Sequence, residues 1–131
     1  MPFASANGTI RAVVPLLFVQ DILRSVAFYQ EQLGFGMTQK WEPDGQLAWC
    51  RLERGGSAVM LQQANDEDGP PTGRGRGVCF YFNCNDVQPV FDEFLSRGLQ
   101  VKPPEAAFYG MNQVFVTDPD GYELCFQSAI G

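Results

Sequence analysis

Apolar and polar positions along this chain fall into two matching series. In the first, Val13-Val14-Pro15-Leu16-Leu17-Phe18-Val19 is an apolar run closed by Gln20-Asp21, and Val26, Tyr29 and Leu33 then recur at helical spacing. In the second, Val78-Cys79-Phe80-Tyr81-Phe82-Asn83-Cys84 runs to Asn85-Asp86, and a helical segment with Val90, Phe91, Phe94 and Leu95 follows. Each half closes on a strand-like run, residues 58–62 in one and 122–127 in the other. A strand–helix–strand unit used twice predicts internal pseudo-twofold symmetry.

The pattern predicts a strand over residues 10–19, with Pro15 tolerable only at an edge or a bulge. A helix capped near Asp21 should run to about Leu33 and stop at Gly34. Strands are expected over 36–41, 46–53 and 57–63, parted by Pro43-Asp44-Gly45 and Gly55-Gly56. Residues 64–77, rich in Asp, Gly and Pro, read as a flexible surface linker. Their Gly73-Arg74-Gly75-Arg76-Gly77 alternation does not have the strand–loop–helix setting of a phosphate site. Beyond the linker, a strand over 78–84, a helix over 87–97 with Pro89 in its first turn, and strands over 99–102, 112–117 and 122–128 are expected. Residues 103–110 read as an irregular loop over a site, and Met1 to Gly8 as a loose tail. The expected fold is one α+β domain over residues 1–131, with module one at about 10–63, the linker at 64–77 and module two at about 78–128.

Composition narrows the function. The chain has 131 residues, enough for one core, and its 45% hydrophobic content argues for a folded globule. A net charge of −6 disfavours nucleic acid, whose phosphates need a basic footprint, and suits neutral or cationic ligands. No run approaches a membrane span, and the first ten residues lack the basic and apolar regions of a signal peptide. A cytoplasmic location is therefore expected. Cys50, Cys79, Cys84 and Cys125 contain no C-x-x-C pair, so free thiols are the default. The chain has no histidine, which excludes 2-His-1-carboxylate iron chemistry.

Two motifs carry a family resemblance. One is Tyr109-Gly110-Met111-Asn112-Gln113-Val114-Phe115-Val116-Thr117-Asp118-Pro119-Asp120-Gly121-Tyr122-Glu123-Leu124. The other is Val19-Gln20-Asp21 followed by Ser25, Phe28-Tyr29 and Leu33-Gly34-Phe35. Together they resemble the vicinal-oxygen-chelate superfamily, which includes glyoxalase I, extradiol dioxygenases, fosfomycin-resistance enzymes and bleomycin-resistance proteins. The resemblance implies two βαβββ modules forming a curved mixed-sheet cup. It also implies a homodimer, in which modules can be exchanged between subunits across the linker. Metal-dependent members place two His and two Glu in the cup. The matching positions here are Val14, Met60, Cys79 and Cys125, with the same 65-residue offset that separates Asp21 from Asp86. None of the four is His or Glu, so no metal and no cofactor are expected.

By resemblance the chain is closest to the metal-free bleomycin-resistance-like binders, which sequester a ligand and do no chemistry. The expected function is metal-independent binding of a small organic molecule, cationic or aromatic, with antibiotic sequestration as one form of it. Candidate lining residues are Val14, Leu16, Trp41, Trp49, Met60, Gln62, Cys79, Tyr81, Phe108, Tyr109, Asn112, Gln113 and Cys125. Asn112-Gln113 stand where related binders often carry an Arg-Glu pair, which puts bleomycin itself in doubt. Two alternatives remain open. One is an enzyme using the cysteines, or Tyr81, Tyr109 and Glu123. The other is a soft-metal or thiol-reactive binder in which Cys79 and Cys125 face each other. Apolar burial would raise the thiol pKa values and weaken both.

Overall fold

The computed structural model describes residues 8–131; the expected tail lies almost wholly outside them. The first module is β1 (Leu16–Val19), α1 (Ile22–Ala27), β2 (Gly36–Trp41), β3 (Trp49–Arg54) and β4 (Ser57–Gln63). The second is β5 (Cys79–Asn83), α2 (Val87–Ser96), β6 (Glu105–Ala106), β7 (Met111–Thr117) and β8 (Glu123–Ala129). The sheets have the orders β1-β4-β3-β2 and β5-β8-β7-β6, with one parallel pair, β1/β4 or β5/β8, at the edge of each. These are the two βαβββ modules of an α+β fold. The pseudosymmetry is visible in register: Leu16 pairs with Met60 and Tyr81 with Cys125, each partner displaced by 65 residues between modules.

Local chemistry explains the ends of the elements. Asp21 and Asp86 cap the helices, their carboxylates accepting from the backbone N–H of Arg24 and Gln88. Val26, Tyr29 and Leu33 are buried, as their helical spacing requires. The first helix nevertheless widens after Ala27 into a π-helical turn, Phe28–Gln32, closed by Leu33 N–H donating to the Phe28 carbonyl. Gly34 then turns the chain at φ +77°.

Three strand expectations need correction. The first strand begins at Leu16 instead of residue 10, because Pro15 has no N–H to donate; its carbonyl still accepts from Met60. The second of the three strands in module one starts at Trp49 instead of residue 46. Residues 99–102 form no strand, and a two-residue β6 appears at Glu105–Ala106 inside the expected loop. Pro103-Pro104 cannot feed a ladder.

One face of each sheet enters a core shared by both modules. Leu17, Val19, Leu52, Val59 and Leu61 come from one sheet, and Phe82, Val114, Val116, Leu124 and Phe126 from the other. Aromatic contacts run Tyr29–Phe35–Phe82–Phe126–Phe94 across the module boundary. The Asp118-Pro119-Asp120-Gly121 turn fastens module two to module one. Asp118 accepts from the Tyr29 hydroxyl at 2.8 Å, and Asp120 accepts from the Gln20 N–H at 2.7 Å and from the Ser25 hydroxyl. Arg54 adds a second latch, donating to the Leu33 carbonyl and to both oxygens of Glu93. The linker is also tied down, since the nearly buried Arg74 side chain reaches Asp120 and Gln20. Its cation is engaged within the fold.

Candidate functional site

Because the core takes one face of each sheet, strand alternation sends the other face outward. On the first sheet two rows of this open face cross all four strands. Leu16, Met60, Arg51 and Gln39 form one; Phe18, Gln62, Trp49 and Trp41 form the next. Trp41 is 61% exposed at the outer strand. Arg51 donates to Glu53 at 2.7 Å, and that bond, with one from Thr38, holds the Glu53 carboxyl below the usual range.

The open face of the second sheet has three rows. Cys79, Glu123 and Thr117 form the first, with the Thr117 hydroxyl donating to Glu123. Tyr81, Cys125 and Phe115 form the second. Asn83, Gln127 and Gln113 form the third, which is a hydrogen-bonded ladder of amides. Gln113 donates to Gln127 at 3.1 Å and Gln127 to Asn83 at 3.0 Å; Gln113 also donates to the Tyr109 hydroxyl. Tyr81 and Phe115 are 50% and 53% exposed, whereas Cys125 between them is fully covered.

The chemistry of this face is quiet. Burial pushes the Cys125 thiol up to about 11, and burial followed by Glu123 raises Cys79. Neither thiol is activated toward nucleophilic attack at neutral pH. The neighbouring Tyr109, then desolvation, raises Tyr81, so even less of its phenol is ionised at neutral pH than in free tyrosine. Cys79 and Cys125 share the face but do not oppose each other: the parallel register sets Cys125 against Tyr81 and Cys79 against Glu123.

The structure therefore sorts the expected site residues into groups. Leu16, Met60, Gln62, Trp49 and Trp41 come together on the first sheet. Cys79, Tyr81, Cys125, Gln113 and Tyr109 come together on the second. Val14 is half-buried in the segment before β1. Phe108, at the tip of the β6–β7 turn, is 100% exposed. Asn112 lies on the opposite face from Gln113, opposite the buried Ser128. Sequence reasoning missed Arg51 and Phe115. Both were readable, because strand alternation puts Arg51 on the same side as the candidate Trp49 and Phe115 on the same side as the candidate Gln113.

The four positions where metal-dependent relatives place ligands do not fit a hard divalent ion. Val14 offers no donor, Met60 offers a thioether, and the two thiols are held protonated. Among the described residues of one chain, no three His, Cys, Asp or Glu side chains are grouped to hold a metal.

Comparison with known proteins identifies the fold. Solved structures with the same fold include a bleomycin resistance determinant encoded on the transposon Tn5, at 22% identity and a TM-score of 0.73, with 92% of this chain and 98% of that one covered. TnmS3, an antibiotic binding protein from Streptomyces sp. CB03234, is 20% identical with a TM-score of 0.70, over 93% of this chain and 98% of that one. A glyoxalase-related enzyme from Clostridium phytofermentans is 14% identical with a TM-score of 0.74, over 96% of this chain and 100% of that one. No curated protein matched the sequence. The sequence model of the Glyoxalase/Bleomycin resistance protein/Dioxygenase superfamily matches residues 10–126, nearly the whole chain, and the protein belongs to that superfamily.

Proposed function

We propose that this protein binds a small, flat organic molecule without a metal and acts by sequestration. The binding unit is a homodimer in which the open face of a first-module sheet meets the open face of a second-module sheet from the other copy. The observation that carries this reading is the make-up of those faces: exposed Trp41 on one, and half-exposed Tyr81 and Phe115 beside a neutral amide ladder on the other. Aromatic walls with a few fixed hydrogen-bonding groups are what a pocket for an organic ligand requires. The raised thiols speak against the covalent and soft-metal alternatives. The description of TnmS3 as antibiotic-binding, and of the Tn5 protein as a bleomycin resistance determinant, supports an antibiotic as the ligand. Gln113 is tied up in the ladder and carries no charge, so a neutral or singly cationic aromatic compound suits the face better than a polycation.

Native mass spectrometry tests this. Protein purified without added metal is offered a panel of cationic aromatic drugs and, separately, Cu(I) and Zn²⁺. The expected result is a metal-free dimer that gains one or two drug masses, with equal uptake by a Cys79→Ser/Cys125→Ser variant. Stoichiometric metal uptake, or loss of drug binding in the serine variant, would overturn the reading.

A further inference from the structure

The second sheet has an opening that the first lacks. In module one, β2 pairs with β3 along its length, from Gly36 opposite Glu53 to Trp41 opposite Trp49. In module two, β6 pairs with β7 only at Glu105 opposite Gln113 and Ala106 opposite Asn112. The Ala107 N–H donates to the Met111 carbonyl at 2.7 Å, so alternation aims the peptide groups of Gln113, Phe115 and Thr117 toward the same edge. Beyond Glu105 the chain is Pro104 and Pro103, and the strip stands away from β7. Among the described residues, no backbone hydrogen bond joins residues 99–104 to Phe115 or Thr117. A cavity of about 550 Å³ lies between the strip and the strand, walled by Leu99, Val101 and Pro103 on one side and by Phe115 and Thr117 on the other. Lys102 and Glu105 also line it, and no described ion pair includes either.

We propose that this groove binds a short free peptide of three or four residues, added in extended form as a strand at the β7 edge. The N–H and C=O groups of Phe115 and Thr117, about 7 Å apart along the strand, match alternate residues of an extended peptide. The free edge, residues 114–117, spans about 13 Å, the reach of roughly four residues. Lys102 and Glu105 supply one charge of each sign on the facing strip. They complement the carboxylate and ammonium of a peptide with free ends. A cavity of this volume falls in the range of small-molecule sites. The inference uses the backbone edge of β7, not its open face, and does not depend on the aromatic-ligand reading.

The test titrates the ¹⁵N-labelled full chain with the free tripeptide Val-Thr-Val. The amide signals of Phe115 and Thr117 should shift and gain protection from exchange. Binding should weaken at least about fivefold when the peptide is N-acetylated and C-amidated, the loss expected for a charge-assisted contact. Thr117→Pro removes one edge N–H and should weaken binding by about the same factor, while Thr117→Val should not. If the proline variant fails to fold, an ester analogue of the tripeptide probes the same bond in the unaltered protein. Unmoved Phe115 and Thr117 signals at millimolar peptide would overturn the proposal, as would equal affinity for the capped peptide. A response confined to Tyr81 and Gln127 would place the peptide on the open face and also refute the groove.

Discussion

Burial and hydrogen bonding pull the Asp118 carboxyl in opposite directions. Burial raises its pKa, while the Tyr29 hydroxyl and the N–H groups of Tyr122 and Asp120 lower it, and burial wins. A carboxyl whose folded pKa exceeds its unfolded value binds its proton more tightly in the folded state. Its contribution therefore favours folding at low pH and declines as pH rises from the ordinary aspartate value to the raised one. The wild-type protein should lose stability relative to Asp118→Asn across that window and hold a constant difference above it. Urea titrations at a series of pH values would show this; a difference that instead grows in favour of the wild type with rising pH would refute it. Tyr29→Phe should cost about 2 kcal/mol, because it strips a hydrogen bond from a buried charged acceptor. The Asp-Pro-Asp-Gly motif was plain in the sequence as a turn and a family mark. Its work as the fastening between modules was not, because Tyr29 and Asp118 are 89 residues apart and nothing local couples them.

Elements were legible where periodicity and punctuation agreed. Residues 57–63 carry the short apolar run Ala58-Val59-Met60-Leu61 between Gly55-Gly56 and the linker, and the strand occupies those residues. They were misread where proline opposed the pattern. Leu99 and Val101 alternate like a strand, yet Pro103 withholds the donor that would face Phe115 and zip it to β7, and so the sheet edge stays open. Replacing both prolines, Pro103→Thr with Pro104→Val, should extend β6 along Phe115 and Thr117. New backbone bonds would contribute about 1 kcal/mol each, while the freed unfolded chain costs a similar amount, so net stability should stay within about 1 kcal/mol of wild type. Hydrogen exchange is the informative readout: amides of residues 101, 103, 115 and 117, which the register of β6 would place in the ladder, should become protected. If they remain as labile as in the wild type, proline is not what holds the edge apart.

For the whole molecule, the question is what covers the open faces. The latches at Asp118, Asp120 and Arg54 hold the two modules of one chain core to core, so the aromatic rows of their other faces point away from that core. One chain cannot close its own cup while those latches hold; a second copy can, by setting its second-module face against the first chain's first-module face. The pseudosymmetry needed for this was readable from the 65-residue offset. The outward direction of the faces was not, since alternation says which residues share a side but not which side the core takes. Phe115→Asp tests the arrangement at the centre of a row. The side chain is 53% exposed in the isolated chain, so folding should change by no more than about 0.5 kcal/mol. In the dimer the carboxylate would be buried against an apolar wall without a partner, on a protein already at −6, and association should weaken at least about tenfold. Sedimentation velocity of the wild type and variant across a concentration series separates the outcomes. A wild-type dimer that the aspartate splits into folded monomers places Phe115 in the interface. A dimer indifferent to Phe115→Asp, or a wild type that remains monomeric, would mean that the open faces are not joined in this way and that the ligand must be held on one sheet alone.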